Sequence, residues 1–165
     1  PTILKKAGYD VSLIGKMADV IECEGAEYLP MVETEGVMEF ILKKMASQET
    51  GLIAANVQET DLAGHAMDAL KYGERLETAD RYLAKVFEKM KDEDMLIITG
   101  DHGNDPTLDH SHHTREKAIL LVYGKNLRTS GLGERETLSD IGATIADYFS
   151  IPAPEHGGSF LNLIY

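Results

Sequence analysis

The sequence predicts an α/β fold, with a mostly parallel central sheet flanked by helices. Three observations lead there. Short apolar runs alternate with longer segments of helical period, the pattern of strand–helix–strand units that build a parallel sheet. Glycines close two of the runs, at Gly15 and Gly124. Asp and His residues gather beside the ends of three of the runs, where open α/β sheets bind their ligands.

The elements follow in order. Val11-Ser12-Leu13-Ile14-Gly15 reads as a buried strand ending in a turn. Glu33 to Gln48 reads as a helix, with Val37, Phe40, Ile41, Lys44 and Met45 at helical spacing. Leu52 to Val57 is a second strand. Asp68 to Lys91 is a long amphipathic helix, with Leu76, Ala79, Leu83, Val86, Phe87 and Met90 expected in the core. Its other face, with Glu74, Arg75, Glu77, Arg81, Lys85, Glu88 and Lys89, reads as solvated. Met95 to Thr99 and Ala118 to Tyr123 are the third and fourth strands, and Ser139 is the expected N-cap of a helix reaching Phe149. Pro152 and Pro154 punctuate the tail. Without an internal repeat, low-complexity tract or linker, residues 1–165 read as one domain.

Composition narrows the function. The chain has 165 residues, 43% of them hydrophobic and 27% charged, with a formal net charge of −12. That charge argues against nucleic acid and anionic membranes as partners, because both are held by Lys and Arg patches. A phosphorylated small substrate stays open, since bound divalent ions invert the local field. Cys23 is the single cysteine, which excludes an internal disulfide and reads as a structural or surface thiol. No apolar run is long enough to span a bilayer and no signal peptide is evident, so a cytoplasmic location is the expectation. The chain opens Pro1-Thr2-Ile3 without an initiator Met, as a processed or partial chain would.

Three groups of residues carry the chemistry. Asp61-Leu62-Ala63-Gly64-His65 follows the second strand, and Asp101-His102-Gly103-Asn104-Asp105-Pro106-Thr107 follows the third. His110-Ser111-His112-His113-Thr114-Arg115-Glu116 precedes the fourth. Five of the six histidines fall in these groups. Asp and neutral His suit Zn, Mn and similar divalent ions. Each group alone is a common arrangement; their conjunction in one chain points to a metal centre.

Thr99-Gly100-Asp101-His102-Gly103-Asn104-Asp105-Pro106-Thr107, followed by His113-Thr114-Arg115-Glu116, resembles the signature of phosphopentomutases, metal-dependent phosphomutases of the alkaline-phosphatase superfamily. Ala7 to Val11 with Gly15-Lys16, Ser139 to Asp147, and Pro154 to Leu161 are also similar to that family, so the likeness runs over nearly the whole chain. The resemblance implies an alkaline-phosphatase-like core without its cap domain, this chain corresponding to the carboxyl-terminal part. It implies two divalent ions, with manganese as the family's metal and zinc or magnesium as alternatives by ligand type. Asp61, His65 and His113 match the ligands of one ion, and Asp101 and His102 match ligands of the other. Lys16 stands where the family's Gly-Lys element lies and is a candidate contact to substrate phosphate, with an ordinary surface lysine as the alternative. Arg115 is a candidate partner for a phosphate or a carboxylate, with a structural ion pair as the alternative. Glu116, Asp105 and Asp109 are candidates to orient the histidines.

The implied activity interconverts ribose or deoxyribose 1-phosphate and 5-phosphate through a phosphothreonine enzyme. Two adjacent ions would stabilise the attacking and leaving oxygens of an in-line transfer. The nucleophilic threonine and a further aspartate are expected upstream of this chain; Thr2, Thr60, Thr99 and Thr107 do not sit in the nucleophile's context. The expected partners are therefore a sugar phosphate and either the missing amino-terminal core segment or a second copy.

The chain departs from the family at three places. It is much shorter. Asp61 and His65 are one residue closer than in phosphopentomutases, and Ala66-Met67 stands where two arginines often follow. His110-Ser111-His112 replaces a Gly-Thr-Asp. The last two changes bear on the sugar more than on the metal. Another phosphotransferase or hydrolase of the superfamily, such as a phosphoglycerate-mutase-like enzyme, and a non-catalytic metal-binding homologue are the alternatives.

Overall fold

In the computed structural model, which describes residues 1–165, the strand β1 (Asp10–Gly15) lies at the centre of a three-stranded sheet. β2 (Glu27–Leu29) and β3 (Gly51–Asn56) flank it, both parallel to it, with Leu13 opposite Tyr28 and Ala54. β1 is the apolar run that the sequence marks as buried, and Leu13 and Ile14 are fully enclosed. Cys23 is buried with Leu4, Val11 and Leu13, against which Tyr9, Ile145 and Phe149 pack. The thiol is thus a core group.

Three helices surround β1 and β3. α1 (Thr2–Lys6) leads into β1, α2 (Lys16–Val20) follows it, and α3 (Thr34–Ser47) packs on β1 and β3. α4 (Glu59–His65) follows β3 and packs on α5 (Ala69–Lys89), which also lies along α3. Met38, Val86 and Met90 form the core between α3 and α5, with Val57 and Leu96 at its edge. Asp68 caps α5, its carboxylate accepting the Lys71 N–H at 3.0 Å.

The parallel sheet and flanking helices agree with the expected class; the later strands do not join that sheet. β4 (Leu96–Thr99) and β5 (Leu120–Tyr123) form a separate antiparallel pair. β3 and β4 are therefore both edge strands, and each is only partly covered.

The inward face of α5 differs from the hydrophobic stripe. Val86 and Met90 are buried, but Leu76 is 50% exposed and Phe87 39%. Arg75, expected in solvent, turns inward to Glu59 and Glu35, at 3.4 and 3.5 Å. Thr78 is buried, and the Tyr82 hydroxyl donates to Glu39 at 3.2 Å. Polar side chains that find partners on α3 and α4 compete with apolar ones for the buried face, a competition that hydrophobic period alone does not register.

α6 (Ser139–Tyr148) starts one residue earlier than expected: Ser139 is its first residue, and no side chain caps it. The neighbouring Asp140 has a larger role. Its carboxylate is 4% exposed and accepts from Arg135 Nε at 2.8 Å and from the Gly158 N–H at 2.9 Å. Thr144 donates its hydroxyl to the Asp140 carbonyl at 2.7 Å and accepts the Phe160 N–H at 3.0 Å. These bonds fasten the tail and α7 (Leu161–Ile164) onto α6. No helix is long and apolar enough to cross a membrane.

Candidate metal centre

Asp61 and His65 follow β3 and lie on α4. The sequence reading left this segment without an assigned element, yet the Asp-x-x-x-His spacing is itself the helical i, i+4 spacing that puts two side chains on one face. Asp101 and His102 follow directly from β4. His113 is brought back to them by a bridge between Gly103 and Thr114, in which the Thr114 N–H donates to the Gly103 carbonyl at 3.0 Å. The His102 and His113 rings stack at 3.6 Å between centroids. Asp61, His65, His102 and His113 are thereby brought within reach of one another, while Asp101 is exposed and approaches the group only at its neighbour His102.

The distances test whether a divalent ion fits. Asp61 Oδ2 lies 3.4 Å from His65 Nε2, and Asp61 Oδ1 lies 3.4 Å from His113 Nε2. The two Nε2 atoms are 3.1 Å apart. Two donors each about 2.1 Å from one ion sit about 3.4 Å apart in a tetrahedron and about 3.0 Å in an octahedron. The two imidazoles and the two Asp61 oxygens thus have spacings in the range of ligands around one ion, with a different Asp61 oxygen facing each histidine. His102 Nε2 lies 3.9 Å from Asp61 Oδ1 and 3.6 Å from Asp101 Oδ1. The ligand atoms of Asp61, His102 and His113 all lie within 4.8 Å of one another, so Asp61 stands between the two expected ligand sets.

Backbone carbonyls, and none of the three expected carboxylates, hold the imidazoles. His65 Nδ1 is 2.6 Å from the Ser111 carbonyl and His102 Nδ1 is 3.2 Å from that of Gly103. A proton shared with a carbonyl must sit on Nδ1, which leaves Nε2 as a bare donor turned into the cluster. Asp105 serves its own loop: the hydroxyl and N–H of Thr107 donate to it at 2.7 and 2.9 Å and hold its carboxyl below the usual range. Glu116 lies against Gly103, and neither it nor Asp109 bonds a histidine. The sequence reading missed Asn104 as a working residue. Its amide donates to the Asp61 carboxylate at 2.7 Å and to the Asp61 carbonyl at 3.2 Å.

The two expected phosphate contacts lie outside this cluster. Lys16 begins α2 at the carboxyl end of β1, exposed, with Asp19 3.9 Å away. Gly15 before it has φ +67°, and a Cβ there would stand 2.5 Å from the Asn56 carbonyl, so only glycine makes this turn beside β3. Arg115 is exposed beside the His113 segment and forms no ion pair. His110 and His112 pair with each other at the surface, 5.8 Å between centroids.

The family model described as the Metalloenzyme superfamily matches residues 2–153. Among solved structures, the chain is similar to a phosphoglycerate mutase from Leishmania mexicana, described at low cobalt concentration, with a TM-score of 0.64 and 22% sequence identity. That likeness covers 80% of this chain and 28% of the mutase, so the present chain spans little more than a quarter of the solved one.

Proposed function

We propose that this chain, which belongs to the Metalloenzyme superfamily, supplies the metal-holding part of a phosphomutase that interconverts ribose or deoxyribose 1-phosphate and 5-phosphate. The observation that carries the reading is the approach of His65, His102 and His113, from three separate segments, to the Asp61 carboxylate, with Asp101 beside His102. Asp61, His65 and His113 would hold one divalent ion, and Asp101 and His102 would take part in holding a second. Manganese is the ion the resemblance favours. The ions would supply charge to offset the growing negative charge of the transferring phosphoryl group.

The rest falls to the chain's own groups. Arg115, exposed and unpaired, would orient a phosphate by paired N–H donors. Lys16 would add a point charge once it leaves Asp19. The Ser111 and Gly103 carbonyls keep the Nε2 atoms of His65 and His102 turned inward.

The phosphorylated threonine would come from a segment outside these 165 residues. In support, the threonines near the centre are already engaged: Thr60 donates to the Val57 carbonyl, Thr99 to that of Ile119, and Thr107 to Asp105. The half-covered edges of β3 and β4, both leading into the cluster, suit an added strand from that segment. Without it, the same edges would favour self-association.

A phosphomutase assay with ribose 1-phosphate and manganese, run on this chain and on the product of its full gene, tests the reading. Activity restricted to the longer protein supports it. Turnover of phosphoglycerate but not of ribose phosphate would transfer the assignment to the second reading, which the likeness to the phosphoglycerate mutase favours. Activity on neither would reject the phosphomutase assignment.

A further inference from the structure

We infer that Asn104 is a positioning residue for Asp61, and that Gly64 is glycine because the Asn104 amide occupies the space beside it. The inference rests on the metal reading above and deepens it.

Asn104 comes from the loop after β4, whereas Asp61 and Gly64 lie on α4. The Asn104 Nδ2 donates to Asp61 twice, to the carboxylate Oδ1 at 2.7 Å and to the backbone carbonyl at 3.2 Å. One amide thus fixes both where the helix lies and how the carboxylate is turned. The oxygen it holds faces His113 at 3.4 Å and His102 at 3.9 Å, and the other faces His65 at 3.4 Å. A rotation of that carboxylate would withdraw an oxygen from one side of the cluster.

Gly64 supports this by having no side chain. A Cβ there would stand under 3.0 Å from all three terminal atoms of the Asn104 amide, closer than such atoms approach. Gly64 is buried and its φ is not positive, so the backbone does not demand glycine. Inside a helix alanine is the better residue. The glycine is explained by the amide packed against it.

Cobalt(II) titration of the 165-residue chain, followed by the visible absorption of the bound ion, tests the pair. Asn104→Ala is expected to weaken cobalt binding about 10- to 100-fold, the range for outer partners of metal ligands, and to change the band shape. Gly64→Ala should do the same although it improves helix propensity. In the double variant, the second substitution should add nothing, because the shortened side chain at position 104 leaves room for the new Cβ. The thermal midpoint of the metal-free variants is measured alongside. Wild-type affinity and spectrum in Asn104→Ala would overturn the inference alone. So would additive losses in the double variant, or losses matched by a lower metal-free midpoint with an unchanged spectrum. Absence of cobalt binding by the unaltered chain would overturn the metal reading and this inference together.

Discussion

β1 and β4 are near equals as sequences, Val11-Ser12-Leu13-Ile14 against Leu96-Ile97-Ile98-Thr99, and they end in different surroundings. β1 is paired on both sides and its residues from Val11 to Gly15 are buried. β4 is paired on one side only, and none of its residues is fully buried. β3, at the other open edge, is half-covered along its whole length. Apolar character states what a strand needs, whereas its neighbours decide what it gets. β3 and β4, each less covered than β1, are the strands that lead into the metal centre, so the most deeply buried strand and the strands beside the site are separate. That separation can be broken or sharpened by substitution.

The largest effect is expected at β1. Leu13→Ala, at a fully enclosed position, should destabilise the chain by about 2–5 kcal/mol in denaturant unfolding. Ile97→Ala in β4 should cost clearly less, since its side chain is only partly removed from water. Equal costs would remove the contrast.

Next comes the tail. Thr144→Val keeps the shape but strands the Phe160 N–H, at a cost of about 1–3 kcal/mol in thermal or chemical unfolding. Asp140 adds a pH dependence. The Gly158 N–H, against the opposing effect of burial and with help from Arg135, holds its carboxyl below the ordinary value of 3.8. A carboxylate depressed on folding stabilises above its unfolded value and loses that contribution as pH falls through the folded one. Asp140→Asn should therefore be less stable than the parent at neutral pH, and the gap should narrow as pH drops below 3.8. A gap constant across an acid titration would contradict the role given to this carboxylate.

The smallest effect concerns an exposed side chain of the antiparallel pair. Leu121, on β5, is 56% exposed. Leu121→Lys should change stability by no more than about 0.5 kcal/mol, yet reduce any self-association seen in sedimentation velocity. An unchanged sedimentation profile in a self-associating chain would show that this face is not the one used.

The main strands were legible because their runs are apolar and bounded by turn residues, as at Val11 to Gly15 and Leu52 to Val57. The segregation of β4 and β5 into an antiparallel pair was not, because pairing direction depends on which edges meet and leaves no mark on a short apolar run. The candidate ligands stood out as types, since five of the six histidines are grouped beside aspartates. Their supports did not. Asn104 and the Ser111 carbonyl act through proximity across 43 and 46 residues of chain, and a backbone carbonyl has no residue identity to read. The short α4 was hidden by its length, although its i, i+4 pair carried a helical signal. Arg75 was misplaced because a charge on an amphipathic helix reads as solvated unless its partners, Glu59 and Glu35, are known to lie opposite.

The most direct measurement is a calorimetric titration of the chain with manganese(II), beside the variant Asp61→Ala. Asp61 faces His65, His102 and His113 at once, so the account predicts saturable binding in the parent and a loss in the variant larger than the roughly 100-fold reached by outer partners. Equal binding in the two proteins would contradict the claim that these residues form a metal centre.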